Sequence, residues 1–159
     1  MKNKFPYKSI LIVCSVNTAR SCMAEGFLKE FFLKHKLNVI VKSCGISSHA
    51  RDGMLISMDA KLAMKEVGIE LSDHYLSIDL KKHPEILEEV DLILTLTSKH
   101  IEEIYEFFNI DSKEILTIKQ FAGENGDIED PSMKELEGFR ETRNEIIACL
   151  MKGLNEYEF

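Results

Sequence analysis

The sequence predicts a three-layer α/β/α fold around a four-stranded parallel sheet. Three observations carry that expectation. Short apolar, β-branched runs alternate with longer stretches whose apolar residues recur at helical spacing, the βαβα order of a parallel sheet. The runs are continuously apolar rather than alternating, as strands buried on both faces are. The first run also opens directly into a polar loop and then a helix, placing that loop at the carboxyl end of a strand, where open α/β sheets bind ligands.

The elements follow in chain order. Ile10–Val13 is the first strand, too short and too β-branched for a buried helix. From Ser21 a helix is expected, because Met23, Phe27 and Phe31 recur every four residues with Ala24, Leu28 and Phe32 beside them. Val39–Val41 is a second strand. Ser57–Val67 is a second helix with Gly68 as its C-cap, and Pro84–Glu89 a third with proline in its first turn. Leu92–Leu96 is a third strand. The helix after it starts at the capping candidates Thr97 and Ser98 and carries Ile101, Ile104, Tyr105 and Phe108 on one stripe. Ile115–Ile118 is the fourth strand. A last helix near Met133–Asn155 shows Leu136, Phe139, Ile146, Ile147, Leu150 and Leu154. No linker, repeat or low-complexity run divides the 159 residues, so residues 1–159 are expected to form one domain.

Composition narrows the function classes. The net charge of −7 argues against nonspecific nucleic-acid partners and against an anionic membrane surface. The four cysteines (Cys14, Cys22, Cys44 and Cys149) have no C-x-x-C spacing, so neither a metal site nor a disulfide framework is expected, and no cofactor is implied. Free thiols and the lack of a long apolar N-terminal segment make a cytoplasmic protein the expectation.

The chemistry concentrates in the run Cys14-Ser15-Val16-Asn17-Thr18-Ala19-Arg20-Ser21, where five residues separate a thiol from a guanidinium. At a helix N-terminus the unpaired backbone N–H groups and the positive dipole end hold anions. A cysteine in that field is favoured as a thiolate nucleophile. Arg20 adds a planar fork that matches two phosphoryl oxygens. The loop is therefore a candidate phosphate cradle with Cys14 at its floor. The longest stretch without periodicity is Lys119–Ser132, with Gly123, Gly126, Asp127, Glu129, Asp130 and Pro131. Phosphoryl transfer from a side chain requires a proton for the leaving group, and Asp130, stiffened by Pro131, is the candidate donor.

Taken together, these residues resemble the low-molecular-weight protein tyrosine phosphatases. Val13-Cys14, Asn17, Arg20-Ser21 and Ala24-Glu25 are similar to that family's V-C-x-G-N-x-C-R-S-P-x-A-E loop. Lys42-Ser43-Cys44-Gly45 resembles its S-A-G segment, Gly68-Ile69 with His74 its G-I pair and histidine, and Glu129-Asp130-Pro131 its acidic loop. The resemblance implies a phosphate-binding loop of the phosphatase type after the first strand. It also implies a phosphorylated protein substrate attacked by Cys14 to form a cysteinyl-phosphate, with phosphate or similar oxyanions held by the loop. Arg20 and the loop residues Ser15, Val16, Asn17, Thr18, Ala19 and Ser21 would bind the phosphoryl group, with Ser21 also donating to the thiolate. Ser43 and His74 would support Asn17 from behind, and Asp130 would protonate the leaving group and then activate water.

The departures are specific. Val16 stands where the family has glycine, so positive φ at that position would strain the loop. Ala19 replaces the family's second loop cysteine, and Cys22 replaces a proline. Thr18 is the residue of the related protein-arginine phosphatases, whereas tyrosine-specific members have an aliphatic residue there and tyrosines where this chain has Ser132 and Met133. Phosphotyrosine and phosphoarginine both remain open as substrates. Two alternatives compete: an arsenate reductase on the same fold, and a non-catalytic phosphopeptide-binding module. The reductases use further cysteines on a downstream segment, and Leu76–Leu116 contains none.

Overall fold

Successive side chains of a strand point to opposite faces, so a run such as Ile10-Leu11-Ile12-Val13 needs two separate apolar layers to bury it. The computed structural model, which describes residues 1–159, supplies both. Ile10 and Ile12 enter one core with Met23, Leu28, Phe32, Met64, Phe139, Ile146 and Leu150. Leu11 and Val13 enter the other with Cys44, Leu80, Leu87, Ile104 and Ile110.

The elements are β1 (Asn3–Lys4), β2 (Ser9–Cys14), α1 (Arg20–Lys34), β3 (Ile40–Gly45) and α2 (Met58–Lys65). After two 3₁₀ segments (Leu80–Lys82 and Pro84–Glu89) come β4 (Leu92–Thr95), α3 (Ser98–Phe107), β5 (Glu114–Thr117), α4 (Ile118–Phe121), α5 (Glu135–Leu154) and β6 (Tyr157–Glu158). The main sheet has the order β3-β2-β4-β5 and is parallel throughout. The four-stranded parallel sheet between two helical layers is the architecture the sequence predicts. The chain leaves β2 toward β3 on one side and β4 toward β5 on the other, so the crevice between the ends of β2 and β4 is the topological switch point. No helix is long and apolar enough to cross a membrane.

Several elements differ from expectation. The second strand runs from Ile40 to Gly45 instead of ending at Val41. Pro84–Glu89 is 3₁₀ rather than α-helical. The fourth strand ends at Thr117, because the Thr117 hydroxyl accepts from Gln120 N–H and Gln120 Oε1 accepts from Thr117 N–H, a reciprocal cap that turns Ile118 into a helix. The aperiodic stretch from Lys119 therefore starts inside α4. The last helix begins two residues later than Met133, at Glu135. The parallel pair β1–β6, which joins the two ends of the chain, has two residues per strand, below any periodic signal.

Candidate active site

The Cys14 loop is shaped by backbone accounting. The Cys14 and Ser15 carbonyls accept from Ile46 N–H, Ser15 also accepts from Ser47 N–H, and the Thr18 carbonyl accepts from Ser57 N–H. With its carbonyls turned outward, the loop turns the Asn17 N–H inward onto Cys14 Sγ, 3.3 Å away. Gly45 permits this packing: a Cβ there would lie 2.7 Å from the Ser15 carbonyl oxygen and 3.0 Å from the Val16 backbone. Asn17 supplies the turn itself at φ 62°, the left-handed region that asparagine tolerates. Val16 is not among the residues with positive φ, so it fits the loop without the strain its replacement of glycine raised.

Asn17 is fully buried, and its amide organises what lies behind the loop. Its Oδ1 accepts from Ile78 N–H at 2.9 Å, while Nδ2 donates to Ser21 Oγ at 2.8 Å and to Ser43 Oγ at 2.9 Å. Ser21 Oγ, having accepted from Asn17, keeps its own hydrogen free to donate to Cys14 Sγ, 2.9 Å away. Ser43 in turn donates to the Glu25 carboxylate, which also accepts from Tyr75 Oη at 2.9 Å and pairs with Lys29 at 2.5 Å. Burial and the Glu25 charge push the Tyr75 phenol well up, keeping it a donor.

His74 is a correction. It is exposed, and its backbone N–H bonds locally to Ser72 Oγ, so it does not support Asn17. Tyr75 takes that place, with its hydroxyl against Ser43 and 3.4 Å from Asn17 Nδ2. The turn closed by Tyr75 N–H on the Ser72 carbonyl leaves His74 at its exposed tip and turns Tyr75 inward. Sequence reasoning also missed Glu25 as a buried anchor. Its signal was a carboxylate inside the apolar, buried start of α1.

Arg20 is buried, with Nη1 donating to the Ile128 carbonyl at 2.8 Å and Nη2 to Ser15 Oγ at 3.3 Å. Ile128 is itself buried and donates its N–H to the Leu96 carbonyl, which pins the acidic loop to the end of β4. Two residues on, Asp130 is exposed between the buried Ile128 and Pro131, with Oδ1 accepting from Ser132 N–H at 3.0 Å. Cys14, Arg20 and Asp130 line one cavity of about 210 Å³ together with Val16, Thr18, Ala19, Ser57, Asp59, Ser132 and Phe139. The sequence reading had not included Ser57 and Asp59, which stand at the start of α2. Cys22 is buried, donates to the Asn17 carbonyl at 3.3 Å, and has its thiol pushed well up by burial and by Cys14.

A thiol bonded by Ser21 and a loop amide, a guanidinium and a carboxylate are brought to one cavity from positions 14, 20 and 130. Residues 9–156 match the family described as low molecular weight phosphotyrosine protein phosphatase. The chain belongs to this family. It is accordingly a cysteine-dependent protein phosphatase. Among its relatives, a protein-arginine-phosphatase of Geobacillus stearothermophilus is 39% identical, over 89% of each chain. Arsenate reductase 1 of Staphylococcus epidermidis is 34% identical over 90% of this chain and 92% of its own. The low molecular weight protein tyrosine phosphatase structure from T. tengcongensis superposes with a TM-score of 0.84 at 30% identity, covering 92% of this chain and 97% of that one.

Proposed function

We propose that the protein hydrolyses phosphoarginine in protein substrates, with Cys14 as nucleophile and Asp130 as acid and base. Cys14 Sγ attacks phosphorus in line as the P–N bond breaks, and Asp130 gives its proton to the departing guanidine nitrogen. The loop amides and Arg20 hold the equatorial oxygens through this step. The Asp130 carboxylate then takes a proton from a water that attacks phosphorus, the P–S bond breaks, and phosphate leaves with Cys14 again a thiolate. Ser21 stabilises that thiolate, and the buried Asn17–Ser43–Glu25–Tyr75 network holds Ser21 and the loop in place.

The observation that carries the substrate choice is the lining of the cavity mouth. Thr18, Ser57, Asp59, Asp130 and Ser132 present hydroxyls and two carboxylates, acceptors for the N–H groups of a cationic guanidinium. A site built to accept such donors discriminates strongly against a group that lacks them. Ser132 and Met133 stand where an aromatic pair would sandwich a phenyl ring, and Met133 is exposed.

The test compares a phosphoarginine protein with a phosphotyrosine peptide on the parent and on Thr18→Ile. The parent is expected to favour phosphoarginine in kcat/KM, and the variant to shift the ratio toward phosphotyrosine. A parent preference for phosphotyrosine overturns the reading. Arsenate fits the same cradle and is expected to inhibit competitively. Cys22 and Cys44 are buried with thiols pushed well up, which makes them poor electron relays for its reduction.

A further inference from the structure

Arg20 is the group that must lie flat against the phosphoryl oxygens, and its Nη2 is set by a hydroxyl, Ser15 Oγ, at 3.3 Å. That hydroxyl is set in turn from across the switch-point crevice: His100 Nε2 lies 2.9 Å from Ser15 Oγ. The tautomer follows from the other ring nitrogen. His100 Nδ1 accepts from Thr97 N–H at 3.1 Å, so the ring proton resides on Nε2 and is donated to Ser15. Thr97 Oγ1 accepts from His100 N–H at 3.3 Å, completing a capping box that fixes the ring at the first turn of α3. The Thr97 carbonyl is held by Thr95 Oγ1 at 2.8 Å, and Ser98 N–H donates to Asp127 Oδ1 at 2.8 Å, which draws the acidic loop to the same turn. His100 is 2% exposed, and burial, reinforced by the Arg20 charge, lowers its pKa to about 3, so the imidazole stays neutral.

We propose that His100 is a positioning residue for phosphoryl binding, donating from Nε2 to Ser15 Oγ so that the hydroxyl accepts from Arg20 and orients its guanidinium toward the anion. The proposal rests on the reading of Arg20 as the phosphoryl-binding group. It assigns a role to a side chain 85 residues from its partner, at the junction of β4 and α3.

Three variants test it against a merely structural cap. Ser15→Ala removes the shared acceptor and leaves the α3 cap intact. In His100→Asn, the amide oxygen can still cap Thr97 N–H, but the side chain is too short to reach Ser15. Ser15→Thr keeps the hydroxyl. The readouts are kcat/KM on para-nitrophenyl phosphate and the inhibition constant of inorganic phosphate. Ser15→Ala and His100→Asn are each expected to lose about 10- to 100-fold in kcat/KM, the range for removing a hydrogen bond that serves a charged group. Both should weaken phosphate inhibition, the double variant should be no worse than either single one, and Ser15→Thr should recover most of the loss. A His100→Asn protein that loses thermal stability but keeps the parent's kcat/KM and phosphate affinity overturns the proposal, as do losses that simply multiply. Lack of turnover by the parent protein would instead refute the phosphatase reading, and phosphate binding measured by titration would still decide the role of His100.

Discussion

The two loops that meet over the cavity are built in opposite ways. From Cys14 to Ser21 every residue is buried or half-buried, and Cys14, Ser15, Asn17, Arg20 and Ser21 all have side-chain partners. From Gly123 to Ser132 all but Ile128 and Pro131 are exposed, and Gly123 and Gly126 take the positive φ values 78° and 118°. The difference fits the tasks proposed for them. An anion cradle stabilises a transition state only if its donors are already oriented, so that no reorganisation is required at the moment of reaction. An acid that first protonates a leaving group and then activates water serves two partners at two positions, and two anchors on an otherwise solvated loop allow that. Regions with few buried contacts open more readily than the core.

Removing the nucleophile should have the largest effect. Cys14→Ser is expected to abolish turnover of para-nitrophenyl phosphate while vanadate still binds. Residual activity beyond the background rate would break the covalent mechanism.

Removing the acid should cost roughly 10²- to 10⁴-fold in kcat, the usual contribution of a general acid. For Asp130→Ala the loss is expected to be greatest with poor leaving groups and small with very good ones. An equal loss across a series of aryl phosphates would assign Asp130 to loop structure.

Stability should separate the two loops in the other direction. Asn17→Ala leaves the Ile78 N–H without its acceptor and removes the amide donor from Ser21 and Ser43, which costs about 1–3 kcal/mol per unsatisfied buried group. Glu129→Ala, in the exposed loop, should stay within about 0.5 kcal/mol of the parent. Denaturant unfolding checks both, and equal costs would erase the distinction drawn here.

A further expectation concerns acid stability. His100 has a native pKa of about 3 against an ordinary value near 6.5, with Arg20, Lys99, Asp127 and Asp130 as its charged neighbours. The unfolded chain therefore takes up this proton first, and the contribution of His100 to stability falls as pH drops below about 6.5 toward 3. His100→Asn should flatten that part of the pH–stability curve, measured by thermal unfolding between pH 7 and 4.

Much of the site was legible because its key spacing is local. A strand, five residues of loop and a helix carry Cys14, Asn17 and Arg20 within one short segment. Asp130 was legible through its neighbour proline in an aperiodic stretch. Val16 was the opposite case, since its residue type could not say which position of the loop takes positive φ. The choice between His74 and Tyr75 turned on how the Ser72–Tyr75 turn sits against the core, which nothing local settles.

By itself the sequence determined the four strands of the main sheet, their double-faced burial, and the thiol, amide and guanidinium grouped in the Cys14 loop. All of these follow from periodicity and from groups a few bonds apart. Only the tertiary structure decided that Tyr75 and Glu25 stand behind Asn17, that the Ile128 carbonyl holds Arg20, and that His100 meets Ser15. Tyr75 is 50 positions from Glu25, His100 85 from Ser15 and Ile128 108 from Arg20. Only the packing of helices across a parallel sheet brings such groups to one end of it. Burial then makes each contact obligatory, because a polar group removed from water must find a partner there.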